Sequence, residues 1–501
     1  HAPPGEGQPV VIFNASTRLS GLSLNAAFSL LTAWALRLTG TPVVHYVCDA
    51  GLGRCVLGTN RQQPQQPLPC PVCVAQSQRL FTQADVRRFQ YQPDEAVASA
   101  LEQCSLEELS RFEYQGLPLG ELVLPSLRWV LRRHHLQDDE ATRYLYNQYI
   151  LSAWSLAQSF SALLEAEQPR VVLVFNGMFY PEATVRRLAQ QRGLPVISHE
   201  VGLQPFSAFF TTGEATAYPI DIPPDFELSP VQNRCLDAYL EKRFQGNFSM
   251  AGIRFWPEMR SLGPEFWQQV AAFKQVVPVF TNVIFDTSQG HANVVFENMF
   301  AWLDLVLEVI RRYPQTFFVI RAHPDETRPG KESRESVADW VQQSGVDALP
   351  NVLFVGSDEY FSSYKLIQKS KFVMVYNSTI GLEASLLGAP VLCGGKARFT
   401  QLPTVFFPPS PEAYRQMAEA FLVADAIEIP AEFQRNARRF LYYQLFRTSL
   451  PFDDFLQEDG VWNGYVTLKP FSWKSLLPQN SPTLHTILNG ILYQKAFWLD
   501  E

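Results

Sequence analysis

The sequence lacks both a long apolar run and an excess of basic residues. A membrane-spanning helix needs about 18 or more consecutive apolar residues, and the longest candidates, residues 26–38 and 303–310, are interrupted by polar side chains. The formal net charge is −8 and the isoelectric point is near 5.6, whereas nucleic-acid-binding proteins present a basic face or stripe. We therefore expect a chain that neither crosses a membrane nor binds nucleic acid.

The first 13 residues, HAPPGEGQPVVIF, lack the basic start and the apolar stretch of a secretion signal. On this basis we expect a cytoplasmic protein. Aromatic residues cluster in two segments, Phe255–Met259 and Ala496–Asp500, which are candidates for contact with lipid or with a partner protein. A position at the inner face of a membrane agrees with both expectations.

The chain is too long for one hydrophobic core. It has 501 residues, and single cores usually stop growing at roughly 250–300 residues. Strand and helix patterns alternate in two series, with strands predicted at residues 171–175 in the first and 277–285 in the second. Such alternation is typical of parallel sheets covered by helices. We predict an α/β protein with two Rossmann-like domains facing across a cleft, residues 1–262 and 263–446, and a tail, 447–501, that packs back on the first domain.

A buried strand is predicted within residues 316–326, and it ends on polar residues. The segment reads TFFVIRAHPDE, an apolar run followed by Arg321, His323 and Pro324. His323 is placed to offer a ring nitrogen to a phosphate oxygen, although a histidine at a strand end is often a structural hydrogen-bonding residue. Arg321 either neutralises the same phosphate or pairs with Asp325.

A second predicted strand, FVMVYN at residues 372–377, runs into the helix pattern STIGLEASLL. Ser378 and Thr379 stand where a helix N-cap belongs, which explains them without a ligand, but the same helix start also attracts phosphate. Glu383 adds one carboxylate a turn into the helix. Ligands of open α/β sheets bind outside the carboxyl ends of the strands. The two strand ends together therefore predict a nucleotide site.

These motifs resemble those of the bacterial capsule-polysaccharide biosynthesis family of GT-B glycosyltransferases. The matching residues are Asn282 and Asp286 in TNVIFDTS, then RAHPDE, then SSY at 362–364, then YNSTIGLEASLLGAPVLCGG. The HP pair followed by a Ser/Thr-rich strand end is also similar to bacterial sialyltransferases and Kdo transferases. The resemblance covers residues 276–407, and the preceding half of the chain agrees in architecture only.

The resemblance implies a GT-B-like fold and a glycosyltransferase of surface polysaccharide synthesis. Its donor would be a CMP-, UDP- or GDP-linked sugar bound by the second domain, and its acceptor a glycan or lipid-linked glycan on the side of the first. The HP histidine and the Ser/Thr residues would hold the donor's phosphate, and Glu383 would accept hydrogen bonds from the ribose hydroxyls. We expect inverting chemistry and, because no Asp-X-Asp pair stands where a metal-dependent transferase would place it, no catalytic metal.

Glu200 is the candidate catalytic base. It ends the predicted strand PVISHE before Val-Gly, and this loosely matches the position at which the related sialyltransferases carry their base. An inverting transferase needs one carboxylate to take the proton of the acceptor hydroxyl. A structural carboxylate is the alternative, with Glu214 and Asp286 as reserve candidates. Residues 14–18 would face the same cleft from the acceptor side.

Four cysteines follow the second predicted strand in the pattern C-x6-C-x14-C-x2-C, namely Cys48, Cys55, Cys70 and Cys73. A tetrahedral zinc ion would organise this insertion, whose composition is that of a flexible loop. Free thiols are the next interpretation, and disulfides are the last for a cytoplasmic protein. Structural zinc is thus the predicted cofactor.

Two other functions keep the same fold. A sugar-nucleotide epimerase or a polyol-phosphate transferase would use the nucleotide site with different chemistry. A non-catalytic, zinc-stapled scaffold of a polysaccharide assembly complex would carry only a vestigial nucleotide cleft. Nucleotide binding separates the scaffold from the enzymes.

Overall fold

The computed structural model describes residues 1–15, 19–245, 260–462 and 464–500. Two segments with sequence-based expectations lie outside the described residues: Phe255–Met259, proposed for lipid or partner contact, and Ser16–Arg18, proposed to face the cleft. No helix in the described ranges is long and apolar enough to cross a membrane.

The strands and helices follow one another in two alternating series. The strands are β1 (Val10–Phe13), β2 (Val43–Cys48), β3 (Asp85–Phe89), β4 (Val171–Phe175), β5 (Val196–Val201), β6 (Ser207–Thr212), β7 (Gln275–Phe280), β8 (Thr316–Arg321), β9 (Val352–Val355), β10 (Val373–Val375), β11 (Val391–Cys393), β12 (Leu450–Pro451), β13 (Leu456–Glu458) and β14 (Val466–Leu468). The helices are α1 (Leu24–Leu38), α2 (Cys70–Leu80), α3 (Glu95–Leu101), α4 (Leu106–Ser110), α5 (Leu119–Leu131), α6 (Glu140–Glu167), α7 (Tyr180–Gln191), α8 (Pro230–Phe244), α9 (Pro264–Ala271), α10 (Gln289–Ala292), α11 (Met299–Arg312), α12 (Val337–Ser344), α13 (Tyr364–Lys369), α14 (Ile380–Leu386), α15 (Pro411–Val423), α16 (Ala431–Tyr442) and α17 (Pro482–Tyr493).

The first sheet has the strand order β12-β6-β5-β4-β1-β2-β3. The strands from β5 to β3 are parallel, and β6 and β12 add antiparallel pairs at one edge. Strand β1, with the sequence VVIF, is buried along its whole length, as expected for a parallel strand covered on both faces. Val11 and Phe13 face a core shared with α5 and α6, whereas Val10 and Ile12 face a core shared with α1. The alternation of side chains along a strand produces these two layers.

The second sheet is fully parallel, in the order β11-β10-β7-β8-β9. Val277 and Val279 of β7 pack with Trp302 of α11 on one face. Phe280 and Val375 pack with helices α14 and α16 on the other. The structure therefore confirms the predicted α/β class with parallel sheets.

The end of the described chain packs on the first sheet. Strand β12 pairs with β6 through Leu450 and Ala208, and Leu484 and Ile487 of α17 share a buried core with Phe28 of α1. Apolar residues at a spacing of three on α17 place one stripe against the sheet layer. Residues beyond the second sheet thus complete the core of the first.

Close approach of two backbones identifies one position where only glycine fits. Gly120 is the second residue of α5. A Cβ there would lie 2.1 Å from the carbonyl oxygen of Leu109 and 2.8 Å from the amide nitrogen of Phe112. We expect Gly120→Ala to lower the free energy of unfolding by about 1–3 kcal/mol, because packed backbone must move. Gly290→Ala is the control, since its Cβ would meet only the end of Met178 at 3.6 Å. Thermal and urea unfolding measure both variants, and equal stability of the two would contradict the packing.

Candidate functional site

In both sheets the chain adds strands first on one side of the starting strand and then on the other. The polar site residues follow the strands on either side of this reversal in strand order. The reversal falls between β1 and β4 in the first sheet and between β7 and β10 in the second. In open α/β sheets this point opens a crevice at the carboxyl ends of the strands. Asn14 and Asn176 follow β1 and β4, while Asn282 and Asn377 follow β7 and β10. The amide nitrogen of Asn377 donates to Asn282 Oδ1 at 3.2 Å, which ties the second pair together.

Arg321 and His323 lie at the carboxyl end of β8, next to this crevice. The guanidinium of Arg321 donates to the hydroxyl of Ser363, and burial lowers the pKa of Arg321 to about 10. His323 caps a one-turn helix that begins at Pro324, and its Nδ1 accepts the amide of Asp325 at 3.2 Å. Nδ1 is therefore the acceptor nitrogen, and the ring proton of neutral His323 belongs on Nε2. Burial lowers the pKa of His323, which favours this neutral form.

Ser378 and Thr379 lie at the start of α14, as the sequence places them. Thr379 occupies the N-cap, but its side chain is exposed and makes no capping hydrogen bond. Ser378 is buried behind it. Helix capping, the alternative explanation for these hydroxyls, therefore does not account for Thr379.

Glu383 is buried, and both of its carboxylate oxygens have partners. Oε1 accepts from Nε and Nη2 of Arg243 at 2.8 and 2.5 Å, and Oε2 accepts from the Tyr364 hydroxyl at 2.8 Å. Glu383 is therefore not a freely solvated side chain. The ribose role stays a prediction: Oε1 already accepts two hydrogen bonds, so Oε2, which accepts one, is the oxygen with a further lone pair to offer.

Glu200, at the carboxyl end of β5, is held by two asparagines. Asn25 Nδ2 donates to its Oε1 at 2.9 Å and Asn176 Nδ2 donates to its Oε2 at 3.1 Å. The amide of Val201 adds a third hydrogen bond at 2.9 Å. Burial raises the pKa of Glu200, and these hydrogen bonds and Arg398 oppose the rise. Asn176 has a φ of 61°, and asparagine tolerates this left-handed conformation better than most residues.

The Glu200 edge of the first domain meets the second domain through Tyr218. The guanidinium carbon of Arg398 lies 3.6 Å from the centre of the Tyr218 ring, and Gln401 Nε2 donates to the Tyr218 carbonyl at 2.9 Å. Burial raises the pKa of Tyr218, the positive charge of Arg398 lowers it, and the negative charges of Glu200 and Asp286 raise it. Asp286 also acts electrostatically on His323. The predicted base lies next to this contact between the domains, because the Tyr218 hydroxyl donates to the carbonyl of Val201, the residue after Glu200, at 2.7 Å.

The two reserve carboxylates also lie at this junction. Glu214 pairs with Arg186, and its Oε2 is 3.4 Å from Nε2 of His291 in the second domain. Asp286 accepts the amide of Thr287 at 2.8 Å and the hydroxyl of Ser288 at 3.2 Å. Asp286 is thus held by its own loop, and Glu214 bridges the domains between the guanidinium of Arg186 and the ring of His291, whose pKa burial lowers.

Arg132 is a junction residue that sequence reasoning missed. It is 2% exposed, its guanidinium carbon lies 4.3 Å from the Trp129 ring centre and 4.7 Å from that of Phe285, and its Nε and Nη1 make no hydrogen bond among the described residues. Burial and the nearby Arg61 lower its pKa to about 9. Its sequence neighbours, LRRHH, are a run of basic residues with no periodicity, so only the tertiary structure identifies it.

The four cysteines line one cavity next to the first sheet. Cys48 ends β2, Cys55 follows in the loop, and Cys70 and Cys73 form the first turn of α2, so part of the predicted irregular loop is helical. Burial raises the pKa of Cys48 to about 12 and that of Cys55 to about 11. Across the described ranges, no group of three or more His, Cys, Asp or Glu side chains is arranged to hold a metal ion. The sulfurs as described are thus not in ligating positions, and zinc stays a prediction.

Comparison with known proteins finds one family model that matches a segment of the second sheet and its helices. Residues 268–402 match the family model described as capsule polysaccharide biosynthesis protein, which confirms the resemblance inferred from the motifs. Protein FixF of Sinorhizobium fredii (strain NBRC 101917 / NGR234) is 24% identical over 315 residues, 60% of this chain and 66% of that protein. The match thus spans just under two thirds of the relative's length.

Solved structures give weaker likenesses. Thermosulfurimonas dismutans KpsC, beta Kdo 2,4 transferase, shares 12% identity over 60% of this chain and 85% of its own, with a TM-score of 0.37. The UDP-GlcNAc 2-epimerase from Neisseria meningitidis bound to UDP-GlcNAc shares 13% identity over 86% of this chain and 98% of its own, with a TM-score of 0.26. Similarity at this level carries no argument about activity.

The ion pair between Arg243 and Glu383 should contribute to the stability of the fold. Arg243→Met leaves a buried carboxylate without its cation, and we expect the free energy of unfolding to fall by about 3 kcal/mol. This is the lower end for a broken buried pair, because 20% of the Arg243 side chain is exposed. Lys242→Met removes an exposed cation from the same turn of α8 and should change stability little. Urea unfolding that finds the two variants alike would show that the pair does not hold the site.

Proposed function

From the match of residues 268–402 to the capsule polysaccharide biosynthesis family, we propose that the protein is a GT-B-type glycosyltransferase. It moves a sugar from a nucleotide donor to a glycan or lipid-linked acceptor, with inversion and without a catalytic metal. The observation that carries the proposal is the position of His323 and Arg321 at the carboxyl edge of a fully parallel sheet, beside its reversal point. That edge is where such sheets bind nucleotides.

The second domain binds the donor in this proposal. His323 donates from Nε2 to a phosphate oxygen, because its Nδ1 already accepts the amide of Asp325. Arg321 contributes positive charge from the same strand end, and the exposed hydroxyl of Thr379 reaches the phosphate from the start of α14. Glu383, fixed by Arg243 and Tyr364, accepts from the ribose hydroxyls. A carboxylate already fixed by two partners needs no reorganisation when the ribose arrives.

The first domain supplies the base. The acceptor oxygen attacks the anomeric carbon as the bond between that carbon and the donor's phosphate oxygen breaks, and the acceptor's proton passes to Glu200. The nucleotide leaves with the bonding electron pair. A base works best when its pKa lies near the working pH, and burial moves the pKa of Glu200 upward in that direction. Asn25 and Asn176 orient the carboxylate by one hydrogen bond to each oxygen.

The proposed acceptor sets the expected location. A lipid-linked acceptor brings the protein to the inner face of a membrane, in agreement with the cytoplasmic location predicted from the sequence. Ala496–Asp500, one of the two aromatic segments, packs against the first domain: the ring of Phe497 stacks on that of Phe210 in β6, with 5.9 Å between the ring centres. Lipid contact by this segment remains part of the proposal.

The phosphate role of His323 predicts a loss of nucleotide affinity. A hydrogen bond to a charged group contributes about 1.5–3 kcal/mol, so His323→Ala should weaken binding of the donor nucleotide roughly 10- to 150-fold. Calorimetric titration measures the affinity, and circular dichroism checks the fold. His485→Ala, an exposed histidine on α17, is the matched control. Unchanged affinity in the folded His323 variant would remove the histidine from the phosphate site.

The base role of Glu200 predicts a loss of turnover with donor binding kept. A general base contributes about 10²- to 10⁴-fold in rate, and Glu200→Gln keeps the size of the side chain while removing its basicity. We expect kcat to fall by that factor and the dissociation constant of the nucleotide to stay within about twofold. Glu165→Gln, on the exposed face of α6, controls for charge. A folded Glu200 variant with normal turnover would move the role to Glu214 or Asp286.

A further inference from the structure

The proposed sugar transfer does not use the cysteine insertion between β2 and β3, whose four thiols line one cavity. Cys48 comes from the end of β2, Cys55 from the following loop, and Cys70 and Cys73 from the first turn of α2. All four line the same cavity, together with apolar side chains that include Leu52 and Leu57. Chain segments up to 25 residues apart in sequence are thus folded around one set of sulfur atoms.

Two of the sulfurs already accept backbone hydrogen bonds of the kind that metal-bound thiolates use. The amide of Gly51 donates to Cys48 Sγ at 3.3 Å, and the amide of Gly58 donates to Cys55 Sγ at 3.2 Å. Each donor stands three residues after its cysteine, so the two Cys-x-x-Gly turns have the same form. Hydrogen bonds from outside the ligand set orient ligands and stabilise their charge.

The second of these turns is tightly packed. A Cβ on Gly58 would lie 3.0 Å from Cys55 Sγ and 3.1 Å from Cδ of Pro69, the residue before Cys70. A side chain at this position would press on both atoms, which would have to shift by a few tenths of an ångström. The turn therefore keeps Cys55 close to the segment that carries the Cys-Pro-Val-Cys pair.

We infer that Cys48, Cys55, Cys70 and Cys73 bind one zinc ion in a tetrahedral, four-thiolate structural site. Each thiol gives its proton to solvent as its sulfur–zinc bond forms, and no electron transfer takes place. Four sulfur ligands suit zinc, and a full set of four protein ligands is typical of structural rather than catalytic zinc. Among the described residues the sulfurs do not stand in ligating positions, so the proposal requires zinc to draw them together within the cavity that they line.

The insertion also contacts the second domain, so a bound zinc ion would act on more than the loop itself. Between Cys55 and Cys70, Arg61 donates from Nη1 to the Gly330 carbonyl at 2.9 Å, and its own carbonyl accepts from Arg334 at 3.4 Å. Gly330 and Arg334 follow the His323-Pro324 turn in the second domain. Zinc would thus fix a loop of the first domain that contacts the segment next to the proposed phosphate site.

Elemental analysis of the full chain, purified under reducing conditions without chelator, tests the proposal. We expect about one zinc ion per chain, and loss of at least nine tenths of it in Cys70→Ser and Cys73→Ser. Cys104→Ser and Cys235→Ser are the controls, because neither residue lines the cavity; both should keep the metal. The measurement does not depend on sugar transfer, so it stands or falls separately from the proposed function.

Wild-type protein provides a second readout if the serine variants fail to fold. After zinc is removed and replaced by Co²⁺, four-thiolate coordination gives an intense near-ultraviolet sulfur-to-cobalt band and visible bands of tetrahedral cobalt. Absence of these bands, together with background zinc before and after reconstitution, overturns the site. Detection of iron together with acid-labile sulfide would assign an iron–sulfur cluster to the four cysteines and overturn the zinc site. Disulfides among the four cysteines, found by mass spectrometry after thiol blocking, would also overturn it.

Discussion

Parallel pairing of β7 with β8 and β10 is the constraint on which the candidate donor site depends. Because these strands run in one direction, every polar residue that follows them is delivered to a single edge of the sheet. The strands are buried on both faces, so their interior positions are apolar and polar residues come only at the ends. Arg321, His323 and Asn377 become neighbours of one crevice for this reason, although they are far apart in the sequence.

The first sheet repeats this arrangement and adds a carboxylate. Asn176 follows β4 and Glu200 ends β5, and both project at the carboxyl edge. The contact of Arg398 with Tyr218 then joins the two edges. The same fold principle, used in both sheets, places a base candidate at the carboxyl edge of one and a phosphate-binding candidate at the carboxyl edge of the other. Arg132, buried between Trp129 and Phe285, adds positive charge to the same junction.

Local patterns in the sequence predicted the buried elements well. The strand at residues 171–175 has the predicted bounds, whereas the one predicted at 277–285 ends at Phe280, because the later residues form the loop that carries Asn282 and Asp286. Strand β3 was missed. Its sequence, DVRRF, is mostly exposed at the edge of the sheet, so it has none of the apolar pattern that identifies a buried strand.

Side chains whose partners are distant in sequence were beyond prediction. Glu383 was identified, but its pair with Arg243, 140 residues away, and its burial follow from the packing of α8 beside α14. The left-handed conformation of Asn176 and the stacking of Arg132 depend in the same way on tertiary contacts. Motif spacing indicates which residues meet a ligand, while packing decides which other residues hold them in place.

The central claim is that the second domain holds a nucleotide, and calorimetric titration of the full chain with CMP, UDP, GDP and their sugar conjugates tests it most directly. The account predicts that one nucleotide series binds at one site per chain, and that the sugar conjugate of that series is consumed when an acceptor glycan is supplied. Absence of binding by all three nucleotides, in protein that unfolds cooperatively, would contradict it.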